Sequence, residues 1–230
     1  MFVSLPTRQR SGLRWATPLL VVLLLAAFAW ATMGSDTQQR TLIQSWGALS
    51  GGFLSPDAWP AALQDGRALR LVTALFLHAD WAHLVGNLVF LLIFGLPAER
   101  AMGPWRFLLL FLLGGAIANL AAALTIGAPD RIIIGASGAV SAVIGAYLAL
   151  FPRAKLGVVL PLGLFLEFVR APASLLIGIW ALLQVVFAYI GPALGAVAWW
   201  AHLAGFVFGI VFAVLVRAAI ARRLRRQRGY

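Results

Sequence analysis

The chain has 230 residues, 62% of them hydrophobic and only 11% charged, with a formal net charge of +11 and no cysteine. Soluble domains carry roughly 25% charged residues, and the long apolar runs here lack a polar face, which excludes a soluble core and places the chain in a bilayer. The missing thiol excludes disulfides and thiolate chemistry, and because the basic residues flank apolar runs, topology and anionic headgroups explain the charge better than nucleic acid does.

Met1 to Arg14 is short and basic, with Arg8, Arg10 and Arg14. An apolar run follows, about Trp15 to Met33. Basic residues, an apolar run and then Ala29-Trp30-Ala31 have the outline of a cleaved signal peptide. The length of the run, and the membrane segments that follow it, favour an uncleaved first helix. Gly34 to Arg70 mixes Trp46, Phe53, Leu54, Trp59, Leu63 and Leu69 with Gly, Pro, Asp and Gln. A loop this long and this apolar is functional or packed onto something, and its aromatics suit the headgroup region.

The second apolar segment runs from near Trp81 to Leu96, and the third from about Trp105 to Ile126. A short loop, Gly127 to Ile134, leads to Ser137 and a fourth run, Ala139 to Phe151, which Pro152-Arg153-Ala154-Lys155 ends. Leu156 to Ala171 is apolar but broken by Gly157, Pro161, Gly163 and Glu167 and followed by Pro172, which predicts an interfacial loop and no span. The fifth segment is about Ser174 to Ile190, Gly191-Pro192 and Gly195 make a turn, and the sixth is about Trp199 to Val216. The expected architecture is an all-α polytopic membrane protein: a basic N-terminus (1–14), a six-helix membrane domain (15–217) and an Arg-rich tail (218–230), which is read as a topology signal.

Six spans put both termini on one side. That side holds fourteen Lys and Arg residues, six of them from Arg217 onward, against Arg40, Arg67, Arg70 and Arg131 on the other. The positive-inside rule therefore makes both termini cytoplasmic. Segments two, four and six then run inward, each with polar residues near its start: His78, His83 and Asn87; Ser137; His202. All five fall at one level in the outer half of the membrane, where polar groups are costly and usually functional.

Ser137 sits between Gly135 and Gly138, and Ser141, Ala142 and Gly145 continue a small-residue face. His202 opens a second such face with Gly205 and Gly209. Faces of this kind let two helix backbones come close, and serine becomes a nucleophile only with a base in hydrogen-bond reach. His83 and Asn87 are four apart, so they share a helical face. Their side chains can donate hydrogen bonds, as can the Ser137 amide at a helix N-terminus. Donors aimed at an acyl-transfer oxyanion are worth roughly 3–4 kcal/mol each.

These pieces resemble the rhomboid intramembrane serine proteases. The matching motifs are His78-Ala79-Asp80-Trp81-Ala82-His83-Leu84-Val85-Gly86-Asn87, Gly135-Ala136-Ser137-Gly138, and Ala201-His202-Leu203-Ala204-Gly205 through Gly209. They occur in the family's order, on its second, fourth and sixth helices, and the resemblance covers about residues 15 to 217. It implies a rhomboid-like bundle in which Ser137 is the nucleophile and His202 the general base of a two-member dyad. His83 and Asn87 would line the oxyanion hole with the Ser137 amide. His78 would be a supporting residue at the water-facing end, and Gly135, Gly138, Gly205 and Gly209 would support the site. Arg70 matches the arginine of a Trp-Arg pair in the first loop, with Leu69 in place of the tryptophan. Glu99 matches an acidic residue that stabilises the inner end of helix two. Ser141 stands where the family often has an aromatic stacked on the catalytic histidine.

Other readings compete. Ser137 alone would be a packing residue, and His202 alone a core histidine bonded to a carbonyl. Trp199 and Trp200 read as interface anchors, and Asn119 and Gln184 as interhelical hydrogen-bonding amides. A metalloprotease would need a motif such as H-E-x-x-H, whereas His78 and His83 do not share a helical face; three histidines alone would be a weak zinc site. The α/β-hydrolase elbow requires glycine at position 139, which is alanine. A transporter would show two matching halves. The serious rival is a non-catalytic relative that binds transmembrane clients. The expected function is hydrolysis of peptide bonds in or near the transmembrane segments of other membrane proteins. No cofactor, metal or nucleic acid is expected. The resemblance implies that the substrate helix enters sideways between the second and fifth membrane helices; the expected location is a bacterial inner membrane.

Overall fold

The computed structural model describes residues 14–50, 58–126, 131–162, 165–190 and 198–227. Each apolar segment expected to be helical is a helix. α1 is Ala16–Thr32. The long first loop folds into α2 (Asp36–Trp46), β1 (Ala48–Leu49), α3 (Ala58–Gln64), α4 (Arg67–Thr73) and a tight turn, Ala74–Phe76. α5 (Trp81–Phe90) passes through a wide turn, Leu91–Gly95, into α6 (Leu96–Met102). Pro97 explains the wide turn: it has no N–H for a helical bond and would clash with the carbonyl four residues back. α7 (Pro104–Thr125), β2 (Ile132–Ile133) and α8 (Ser137–Leu150) follow, then β3 (Lys155–Leu162), β4 (Phe165–Pro172), α9 (Ala173–Ile190) and α10 (Trp199–Gln227).

Among the described residues, four helices are long and apolar enough to cross a membrane: Trp81–Met102, Pro104–Thr125, Ala173–Ile190 and Trp199–Arg225. α1 and α8 are apolar but shorter. At 1.5 Å per residue, α8 is about 21 Å long, less than the roughly 30 Å hydrocarbon core. It is nonetheless the most enclosed element, with Ala139, Ala142, Val143, Ala146 and Leu150 all buried. α9 is the opposite. Leu175, Ile179, Leu182 and Leu183 are exposed along it, a surface that is stable only in contact with lipid.

One sequence expectation needs correction. Where an interfacial loop is expected, Lys155–Leu162 and Phe165–Pro172 pair as antiparallel strands, with Lys155 opposite Pro172 and Leu162 opposite Phe165; the expectation of no span there is unaffected. Glycine and proline bar a helix there, while Val158, Val159, Phe168 and Val169 favour extended backbone. In a two-stranded sheet both strands are edges, which tolerates Pro161.

Two polar contacts tie the bundle at the end opposite the serine. Glu99 is fully buried and accepts hydrogen bonds from the Ala16 and Thr17 amides, each at 2.9 Å. A carboxylate placed on the first amides of a helix satisfies orphan donors and complements the helix dipole. Glu99 thus joins α6 to the start of α1. Arg223 Nη1 donates to the carbonyls of Arg100 and Ala101 at 3.0 and 3.3 Å. That arginine of the tail is therefore a structural clasp as well as a positive charge.

The tightest seam joins α8 and α10. A Cβ on Gly205 would strike the Gly138 carbonyl, one on Gly209 the Ala142 carbonyl, and one on Gly145 the Phe206 carbonyl. The glycines allow backbone-to-backbone contact over two turns, and that contact sets the spacing between Ser137 and His202.

Candidate active site

The serine loop is pinned from three directions before α8 begins. β2 pairs with β1, placing Ala48 opposite Ile133 and Leu49 opposite Ile132. Ser50 and Arg131 exchange two hydrogen bonds of 2.8 Å. The Gly135 amide donates to the Ala74 carbonyl at 2.9 Å. Gly135 has φ +109°, and the His83 imidazole lies directly against its Cα. A side chain here would be strained by the backbone and would collide with that ring. The chain can then turn sharply into α8 with Ser137 as its first residue.

Ser137 Oγ lies 2.9 Å from His202 Nε2. His202 Nδ1 lies 2.8 Å from Gln184 Oε1 on α9. Residues from three helices are thus linked in one hydrogen-bonded line. A hydroxyl so placed can pass its proton to the imidazole as it attacks an electrophile. The amides at the start of α8 have no partner within the helix.

His83 and Asn87 line a cavity of about 260 Å³ together with Ser137, Ser141, Trp180 and Gln184. A second cavity, about 470 Å³, reaches Ser137 and His202 past Asp80, Asn119 and Arg131. The Asp80 side chain accepts from the His83 amide at 2.8 Å, which caps α5 and fixes where His83 emerges.

His78, expected as a supporting residue at the water-facing end, has its side chain only 2% exposed. Its Nε2 faces two N–H donors, Asn87 Nδ2 at 3.1 Å and the Ala136 amide at 3.4 Å. Both need a lone pair on that nitrogen, so the ring is neutral with its hydrogen on Nδ1. The imidazole thereby buttresses Asn87 and the serine loop together. Burial, reinforced by the nearby His83, pushes its pKa down to about 4. In the unfolded chain the ring titrates near the ordinary value of about 6.5. Below that pH the unfolded state gains a proton that the folded state refuses, so stability falls as pH drops from about 6.5 to about 4 and levels off below. The expected loss is about 3 kcal/mol. Unfolding in mixed micelles across this range, for wild type and His78→Gln, checks it. A stability difference between the two that does not change with pH would remove the interpretation.

The remaining residues fall as follows. Arg70 donates to the Gln44 carbonyl at 3.2 Å and Thr73 to the Trp46 carbonyl at 2.7 Å, both holding α2 against α4 in the first loop. Leu69 beside Arg70 is exposed. Glu99 lies far from the serine, at the start of α1. Asn119 Nδ2 donates to the Leu71 carbonyl at 2.8 Å, an interhelical bond of the kind expected. Gln184 also bonds between helices, but its partner is His202, and sequence alone did not single out that pairing. The signal was a single amide on an otherwise apolar helix. The pairing of β1 with β2 was also missed, although Ile132-Ile133-Ile134 is the β-branched run that marks it.

The Rhomboid domain family model matches residues 65–219 of the chain. The chain is 37% identical over 84 residues to the putative rhomboid protease YdcA of Bacillus subtilis, which is 36% of this chain and 42% of that protein. It is 32% identical over 132 residues to the rhomboid protease GluP of the same organism, 56% of this chain and 24% of that protein. To RHOMBOID-like protein 6, mitochondrial, of Arabidopsis thaliana it is 28% identical over 158 residues, 59% of this chain and 51% of that protein. The chain spans about half or less of the length of these curated relatives.

Proposed function

This chain belongs to the rhomboid family, and on that premise we propose that it is an intramembrane serine endopeptidase with Ser137 as nucleophile and His202 as general base. The observation that carries the reading is the 2.9 Å contact between Ser137 Oγ and His202 Nε2, at the junction of the two cavities. Ser137 attacks the scissile carbonyl while His202 takes its proton. The oxyanion is met by the Ser137 amide, the Asn87 carboxamide and the His83 ring. Collapse of the tetrahedral intermediate breaks the C–N bond, and His202 returns the proton to the leaving amine. Water entering past Asp80 and Arg131 then hydrolyses the acyl-enzyme. The substrate is a helix of another membrane protein, unwound near its end, because an intact helix shields its own backbone. Cleavage of single-span proteins by the purified chain, lost in Ser137→Ala, tests the reading. Binding of such proteins without cleavage by wild type would favour a non-catalytic role.

The orientation belongs to the same proposal. Fourteen of the eighteen Lys and Arg residues lie on the side of the termini if α1, α5–α6, α7, α8, α9 and α10 are counted as six passes, which makes both termini cytoplasmic. In a bacterium this is the inner membrane. A reporter fused after residue 230 is expected to be active in the cytoplasm, and one inserted within 34–70 outside it. A cytoplasmic first loop would put the serine on the wrong side and end this topology.

A further inference from the structure

The geometry points to Gln184 as a positioning residue for the general base: its carboxamide oxygen holds His202 in the tautomer with hydrogen on Nδ1 and a lone pair on Nε2. The two-member dyad thereby becomes a three-residue line, Ser137–His202–Gln184. This rests on the protease reading above, and the tests are chosen so that the two can fail separately.

Gln184 Oε1 can only accept, so at 2.8 Å from His202 Nδ1 it requires a hydrogen on that nitrogen. A neutral imidazole carries one N–H, and the partner of one nitrogen decides the state of the other. Nε2 is therefore bare, and it lies 2.9 Å from the hydroxyl it must deprotonate. The opposite tautomer would present Nε2–H to Ser137 and could not act as a base.

Gln184 sits on α9 with 6% exposure, on the inward face that also buries Ile177 and Ala188. A buried carboxamide is costly unless hydrogen-bonded, and its oxygen is satisfied by His202. The neighbouring helix does not restrain the ring by stacking. Ser141, one turn below Ser137, turns its hydroxyl back to the Ser137 carbonyl at 2.7 Å. Trp199 meets the imidazole only at an edge, with ring centroids 6.1 Å apart and planes at 89°. The hydrogen bond to Nδ1 thus fixes the tautomer and, together with the Ser137 contact at Nε2, the ring's rotation. When His202 takes the serine proton, the same oxygen still accepts from Nδ1 and is pre-oriented toward the new positive charge.

The chain has three histidines, so ¹⁵N-histidine spectra in lipid nanodiscs can be assigned with single His→Gln variants. Wild-type His202 is expected to carry its hydrogen on Nδ1, and Gln184→Met, similar in shape but with no oxygen, to lose that preference. Fluorophosphonate labelling and kcat are expected to fall about 10- to 100-fold in Gln184→Met, with KM within about twofold. Gln184→Glu restores an acceptor oxygen and is expected to recover to within about fivefold of wild type. A merely structural amide would not move the tautomer or split kcat from KM. Hydrogen on Nε2 of wild-type His202, or wild-type labelling of Gln184→Met, overturns the inference. If Gln184→Met does not fold, the wild-type tautomer alone decides. A wild-type chain that neither labels nor cleaves, yet keeps hydrogen on Nδ1, removes the protease reading and leaves the pairing standing.

Discussion

Ser137→Ala is expected to abolish both fluorophosphonate labelling and substrate cleavage, a loss on the order of 10⁴-fold or more. The nucleophilic oxygen is gone, and no other described hydroxyl meets His202 Nε2; Ser141 points at a backbone carbonyl. His202→Ala is expected to lose nearly as much, because a serine hydroxyl without a base is a weak nucleophile. The double variant should be little worse than either single one, since residues that act as a unit are not additive. Asn87→Ala is expected to retain more, falling about 10²- to 10³-fold, because one oxyanion donor is lost while others remain. Part of that loss comes through His78, whose Nε2 would keep only the Ala136 amide. A metal chelator should leave all these rates unchanged, which separates the serine mechanism from a zinc site made of histidines. Cleavage by folded Ser137→Ala protein would remove Ser137 from the chemistry.

Much of this arrangement was legible in the residues. Long apolar runs give helices almost without alternative, because a backbone in lipid must satisfy its own hydrogen bonds. The level shared by His83, Asn87, Ser137 and His202 followed from counting inward-running segments. Contacts between distant pieces of chain were less legible. Glu99 could be seen as an unusual acid, but not as the partner of amides more than eighty positions earlier. The resemblance gave His78 a supporting role, but not its contacts with Asn87 and the Ala136 amide. The strands at 155–162 and 165–172 carry glycines and prolines that bar a helix, but nothing in either stretch alone names the other as its partner. Gln184 was visible as a polar exception, but its partner depends on how α9 is rotated against α10, and a nearly uniform apolar helix does not encode that rotation legibly.

The seam between α8 and α10 supplies the second large effect. Gly205→Ala and Gly209→Ala are each expected to lower labelling and cleavage by about 10²-fold, the cost of a misplacement of about 1 Å at a reacting centre. A methyl group at either position meets a backbone carbonyl of α8. A backbone carbonyl in mid-helix cannot swing aside as a flexible side chain can. Ordinary contact between heavy atoms begins near about 3.5 Å, so the helices would have to part by about 1 Å. His202 lies one turn before Gly205, and Ser137 directly precedes Gly138 across the seam. Parting therefore stretches the 2.9 Å hydrogen bond beyond useful length. Overpacking of this kind also costs about 1–3 kcal/mol of stability, so thermal midpoints in detergent should fall with the activity. Gly178→Ala is the matched control: it makes the same change on α9, where an added Cβ meets nothing within 4 Å. That variant should keep its activity and gain a few tenths to about 1 kcal/mol from reduced freedom of the unfolded chain. Equal behaviour of the seam and control variants would show that the close approach of α8 and α10 does not set the distance between serine and histidine.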